Sequence, residues 1–171
     1  MVRAIIEGKK TVTRRICKGQ REQSSKYDFP LYRNPYGSPG ERLWVRERCK
    51  AEELADMTDG VRYDADGEFI AIKNTPEAAD RWVHLNGYSG GKGRSVPSIH
   101  MPKWASRITL EIRRIEVQRL HDMTTRDAFS EGVNGRGPFS QLWSKIHPPG
   151  PHYEDAWSLN PLVWVVAFDR I

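Results

Sequence analysis

Residues 8–15 read Gly-Lys-Lys-Thr-Val-Thr-Arg-Arg and hold the densest chemistry in the chain. Gly8, Lys10, Thr13 and Arg15 fall in the spacing G-x-K-x-x-T-x-R. A glycine that ends a helix lets the backbone turn. Lys10 and Thr13 are then three residues apart, and in a compact turn an ammonium reaches a hydroxyl at that spacing. Arg15 adds a planar guanidinium fork suited to a phosphate or a carbonyl edge. The same residues also fit a plain basic segment after a helix, with Thr13 an ordinary strand residue. Composition alone leaves both readings open.

The elements around this segment follow from pattern. Residues 2–8 read as a short helix, with Val2, Ile5 and Ile6 on one side and Gly8 as its stop. Residues 18–41 read as a long loop closed by the turn Ser38-Pro39-Gly40. Residues 42–49 alternate as a strand, and two β-prone runs, 61–65 and 68–73, flank Asp66-Gly67 as a hairpin. Thr75-Pro76-Glu77 opens a helix as N-cap, first-turn proline and first-turn acid. Residues 86–96 hold four glycines and two serines and read as a loop without a P-loop pattern.

Residues 107–120 form a long strand pattern. Ile108, Leu110 and Ile112 share one face, Ile115 and Val117 are out of step by one, and Arg113-Arg114 marks a bulge. Thr124 opens a capping-box helix that ends near Glu131 with Gly132 as its stop. Phe139, Leu142, Trp143 and Ile146 recur at helical spacing, and residues 162–168 are a continuous apolar strand with both faces covered. The βαβ alternation of nucleotide-binding α/β folds is absent. The fold class is therefore α+β: mostly antiparallel strands with short flanking helices, or a small decorated barrel.

The 171 residues suffice for one domain with a real core. No apolar run reaches a membrane span, and the start Met1-Val2-Arg3 lacks a leader-like stretch, so a cytoplasmic protein is expected. Cys17 and Cys49 make no disulfide framework, and His84, His121, His147 and His152 show no metal-ligand spacing, so neither metal nor cofactor is expected. The net charge of +5 is uneven. Residues 1–26 hold eight bases and two acids, whereas residues 51–80 hold nine acids and only Arg62 and Lys73. A phosphate-bearing partner is steered to the basic end.

Several segments together resemble the ASCH family, whose fold is similar to the PUA domain of RNA-modification proteins. Residues 8–15 resemble its signature loop. Residues 39–47, Pro-Gly-Glu-Arg-Leu-Trp-Val-Arg-Glu, resemble the strand after it, and residues 127–133, Asp-Ala-Phe-Ser-Glu-Gly-Val, its Ala-x-x-Glu-Gly helix end. Phe139, Leu142, Trp143 and residues 160–166 resemble its closing helix and strand. Residues 97–107, from Pro97 through His100 and Trp104 to Arg107, resemble a longer variant seen mostly in phage and prophage members.

The resemblance implies one PUA-like domain over 1–171, a small barrel of about five to six strands, with a variable insertion at about 50–96. It also implies a site. Some small bacterial members are amidohydrolases that remove the acetyl group of N4-acetylcytidine, and their lysine, threonine and glutamate match Lys10, Thr13 and Glu131. There Lys10, with its ammonium destabilised by burial and by Arg15, acts as base toward Thr13; Thr13 attacks the amide; Glu131 gives a proton to the departing amine. Lys9, Arg14, Arg15, Trp44, Arg46, His100, Trp104 and Arg107 are the expected nucleic-acid or ligand contacts, with Trp44 or Trp104 as a wall for the ring. The partner is RNA or a nucleoside or nucleotide, with no membrane. A non-catalytic RNA-binding module and a metal-independent ribonuclease are the competing readings.

Overall fold

The computed structural model describes residues 1–17, 34–148 and 157–171. Most of the expected loop 18–41, and with it Lys18, Arg21 and Lys26, lies outside the described residues, as does His152. In chain order the elements are α1 (Val2–Ile6), β1 (Val12–Ile16), β2 (Arg42–Trp44), β3 (Cys49–Glu53), β4 (Asp59–Tyr63), β5 (Phe69–Ala71), α2 (Pro76–Asn86), β6 (Thr109–Arg119), α3 (Thr125–Ser130), α4 (Arg136–Ile146) and β7 (Leu162–Arg170). The class is α+β. The strands form two sheets, one ordered β1-β7-β6-β2 and one ordered β3-β4-β5. The chain divides into two compact units: residues 3–43 with 110–171, and residues 44–109, the latter containing the expected insertion.

In the first unit β7 is central. β1 pairs with it antiparallel, from Val12 opposite Ala167 to Ile16 opposite Val163. β6 pairs on its other side, from Leu110 opposite Arg170 to Arg119 opposite Leu162. Val163, Val165, Val166 and Phe168 of β7 are all buried, so neighbouring residues pointing to opposite faces are covered. One face carries the cluster of Leu120, Met123, Ala128, Phe139, Trp143, Val163 and Val165, with Val12 and Ile16 packed against it. The β6 ladder shifts register between Ile112 and Arg114, the bulge that the double arginine marks.

α3 carries the expected capping box: the Asp127 amide donates to Thr124 Oγ1 at 3.1 Å, and the Thr124 amide donates to Asp127 Oδ2 at 2.8 Å. Gly132 then turns the chain at φ +77°, and a Cβ there would stand 2.9 Å from the Ala4 Cβ and 3.3 Å from the Lys10 Cβ. The glycine is required twice, for its backbone angle and for the close approach of α1 and Lys10.

In the second unit β4 pairs with both β3 and β5, over a core of Cys49, Ala51, Val61, Tyr63, Trp82, Leu85, Val96, Met101 and Ala105. Thr75 caps α2 by accepting from the Ala78 amide at 3.2 Å. The expected strand 42–49 is broken after Trp44. Side chains take over the backbone groups there: Ser106 Oγ donates to the Val45 carbonyl at 3.0 Å, and the Glu47 amide donates to Met101 Sδ at 3.1 Å. No helix among the described residues is long and apolar enough to cross a membrane.

Candidate functional site

Lys10 lies just before β1 and forms an isolated bridge with Glu131, the residue that closes α3. Both side chains are buried, 3% and 5% exposed, and the Lys10 ammonium contacts the Glu131 carboxylate directly. The ammonium also donates to the Val12 carbonyl at 2.8 Å and to the Glu131 carbonyl at 3.3 Å. Burial lowers the Lys10 pKa below the ordinary lysine range. Glu131 opposes that, and the cations Arg15 and Arg14 reinforce it.

Arg14 is the second buried cation, its side chain 1% exposed. Its Nη1 donates to Glu131 Oε1 at 3.3 Å, and its Nη2 stands 3.3 Å from Asp127 Oδ1. With the amide orientation that satisfies both partners, the Gln118 oxygen accepts from Arg14 Nε and Nη2 at 3.0 Å each. Asp127 thus both caps α3 and braces Arg14. The four charges Lys10, Arg14, Asp127 and Glu131 balance in pairs, and every guanidinium nitrogen of Arg14 is engaged.

Thr13 is not brought to Lys10. β1 begins at Val12, and strand side chains alternate. Val12, Arg14 and Ile16 face the cluster that holds Phe139 and Trp143, so Thr13 faces the other way, beside Val166. Its Oγ1 is buried and has no hydrogen-bond partner among the described residues. The expected contact of Lys10 with Thr13 needs a turn where the chain makes a strand.

A cavity of ≈ 180 Å³ opens beside the pair. Glu131, Arg14 and Arg15 line its polar side, and Phe139, Leu142, Trp143 and His147 its apolar side. Trp143 packs against the His147 ring at 4.6 Å and Phe139 at 5.8 Å between centroids, and its indole Nε1 has no partner among the described residues. Burial, and after it the charge of Arg15, lowers the His147 pKa. The exposed Arg15 donates to the Arg14 carbonyl at 3.0 Å. The helical spacing of residues 139–146 is visible in the sequence as a packing face. That the same face walls a cavity shows only once α4 is set against β1.

The remaining expected contacts are placed as follows. Lys9 is exposed and pairs with Glu7 at 2.7 Å. Arg46 sits over the Trp44 ring, 4.7 Å from its centroid, and donates to the Ile99 carbonyl at 3.1 Å. His100 packs near Tyr88 with centroids 5.6 Å apart, and Trp104 lies half-buried against the core of the second unit. Arg107 is fully engaged as a structural clamp. It meets the buried Glu47 in two hydrogen bonds of 2.8 and 2.9 Å, Asp66 in two of 2.8 and 2.9 Å, and Glu68, and it stacks over Tyr63 at 4.1 Å. Its forked donors serve the fold of residues 44–109. Among the described residues no group of three or more His, Cys, Asp or Glu is placed to hold a metal ion.

No protein-family model, curated protein or solved structure matches the chain.

Proposed function

We propose that the chain is an ASCH-type protein, PUA-like in its barrel, that binds a pyrimidine nucleoside or nucleotide and hydrolyses an exocyclic amide on its base, as in N4-acetylcytidine. The observation that carries this reading is the buried Lys10–Glu131 pair, braced by Arg14, at the polar wall of the small aromatic cavity. A cavity of ≈ 180 Å³ is too small for a drug-sized ligand, which takes about 300 Å³ or more, and suits one substituted ring. Phe139, Leu142 and Trp143 supply its apolar faces.

The chemistry runs with water as nucleophile, since Thr13 faces away. Glu131, which accepts hydrogen bonds from Lys10 and Arg14, takes a proton as water attacks the acetyl carbonyl carbon. The carbonyl electron pair moves to oxygen, where the Arg15 guanidinium offsets the charge. Collapse restores the carbonyl and breaks the carbon–nitrogen bond, and the proton on Glu131 passes to the departing amine nitrogen. Lys10 keeps the Glu131 carboxyl in position through both transfers.

The test is conversion of N4-acetylcytidine to cytidine and acetate, followed chromatographically. Glu131→Gln should lower the rate by about 10²–10⁴-fold, the usual contribution of a positioned acid–base group. Thr13→Val should keep most activity. Loss of activity in a folded Thr13→Val protein would restore threonine as nucleophile. Absence of turnover by the wild-type protein removes the hydrolase reading. The non-catalytic binding module would then stand, and one observation favours it: Lys10 and Arg14 are already saturated by protein partners.

A further inference from the structure

Residues 81–109 hold Arg81, Lys92, Arg94, Lys103 and Arg107 and no acid, whereas residues 44–80 hold ten. A cavity of ≈ 350 Å³ is walled wholly by that acid-free segment, with Arg81, His84, Tyr88, His100 and Trp104 among its residues. A second cavity, of ≈ 310 Å³, shares Arg81 and Trp104 with the first and adds Lys73 and Tyr63. The two compartments therefore have one aromatic side chain and one guanidinium in common.

The walls are held in place. Thr75 and Pro76 start α2, which carries Arg81 and His84. Val96 is tied to Cys49 by two backbone hydrogen bonds of 2.7 and 3.2 Å, and Pro97 and Pro102 open the short turns that present His100 and Trp104. Arg81 is exposed and makes no hydrogen bond or ion pair with the described residues. Two acids stand near the site: Glu77, one turn earlier on α2, feels the charge of Arg81, and Asp80 lies 3.8 Å from His84. Neither lines a cavity.

We propose that residues 44–109 carry a second binding site, for two successive nucleotides of single-stranded nucleic acid, with the bases in the two cavities on either side of Trp104 and the joining phosphate on Arg81. A strand alternates base and phosphate as this site alternates aromatic and cation, and stacking on a shared ring is tolerant of sequence. The site uses neither Lys10 nor Glu131, so failure of the hydrolase reading leaves it untouched.

The test is fluorescence anisotropy of the full chain with an end-labelled eight-nucleotide uridine strand, competed by unlabelled pUpU, UMP or a duplex. Trp104→Ala should weaken binding about tenfold or more, since two bases lose their stacking surface. Trp104→Phe should restore most of it. Arg81→Gln should reduce the slope of log affinity against log salt by about 0.7, the share of one phosphate on a single strand. Arg113→Gln, on β6 and outside both sites, should bind as the wild type. pUpU should compete far better than UMP. Equal competition by UMP, wild-type binding by folded Trp104→Ala, an unchanged salt slope in Arg81→Gln, or preference for duplex would each overturn the proposal.

Discussion

Replacing Glu131 by glutamine should destabilise the protein more than replacing Lys10, and the deficit should shrink as pH rises. Glu131 answers two buried cations. Arg14 keeps Asp127 and Gln118 when it goes, but Lys10 is left, among the described residues, with neutral acceptors such as the backbone carbonyls of Val12 and Glu131 and with no anion. An orphaned buried charge costs about 3–5 kcal/mol, a large part of a domain's total of about 5–15 kcal/mol. In Lys10→Met, Glu131 still has Arg14 at 3.3 Å, and the loss is that of one charged hydrogen bond, about 1.5–3 kcal/mol. The double variant Lys10→Met/Glu131→Leu should recover much of the Glu131→Gln deficit, because it leaves no unpaired charge. The pH dependence follows from Lys10. Its folded pKa lies below 10.5, so between that value and 10.5 the unfolded chain holds a proton that the folded chain has released, and stability rises with pH. Removing Glu131 takes away the influence that raises the Lys10 pKa and widens this window downward. Urea unfolding of the four proteins at pH 7 and pH 10 measures both effects. A Glu131→Gln deficit smaller than that of Lys10→Met, or one equal at the two pH values, would refute the reasoning.

Two further substitutions probe how the site and its neighbour unit are held. Gly132→Ala should cost about 1–2 kcal/mol for the left-handed backbone and more for the Cβ placed 2.9 Å from Ala4; adding Ala4→Gly should recover the contact part alone, read as thermal midpoints. Arg107→Lys should lower stability by about 1.5–3 kcal/mol in urea, because an ammonium cannot match the paired hydrogen bonds to both Glu47 and Asp66. A loss below about 0.5 kcal/mol would mean that the clamp is an ordinary surface pair.

Local chemistry made much of the fold legible. The Thr75 and Thr124 caps, the stop at Gly132 and the bulge at the double arginine each depend on residues a few positions apart, and each is present. β3 was hidden because Cys49-Lys50-Ala51-Glu52-Glu53 alternates small residues with charged ones and lacks the β-branched and aromatic residues that mark strands. The clamp of Arg107 was hidden by distance, its acceptors lying 39 to 60 residues away in the chain. The juxtaposition of Lys10 with Glu131 followed from the resemblance, whereas the role of Arg14 did not, since a run of basic residues gives no sign of which one turns inward. Thr13 shows the converse. Its spacing from Lys10 suits a turn, and the start of β1 at Val12 decides its direction.

The bulge in β6 has one more consequence. Leu110 and Ile112 lie opposite Arg170 and Phe168, and Ile115 and Val117 lie opposite Val166 and Trp164, so all four share a face although their numbering changes parity. Arg113 is the extra residue between them and points to Asp169 in an exposed ion pair. Deleting it would leave an unbroken alternation in which each side chain keeps its opposite number on β7. Curvature and identity of contact are thus separate variables in this strand. A loss of three nucleotides from the coding sequence could flatten the sheet while preserving the list of what touches what, so related chains can differ in how far their strands bend without any change in the residues that pack.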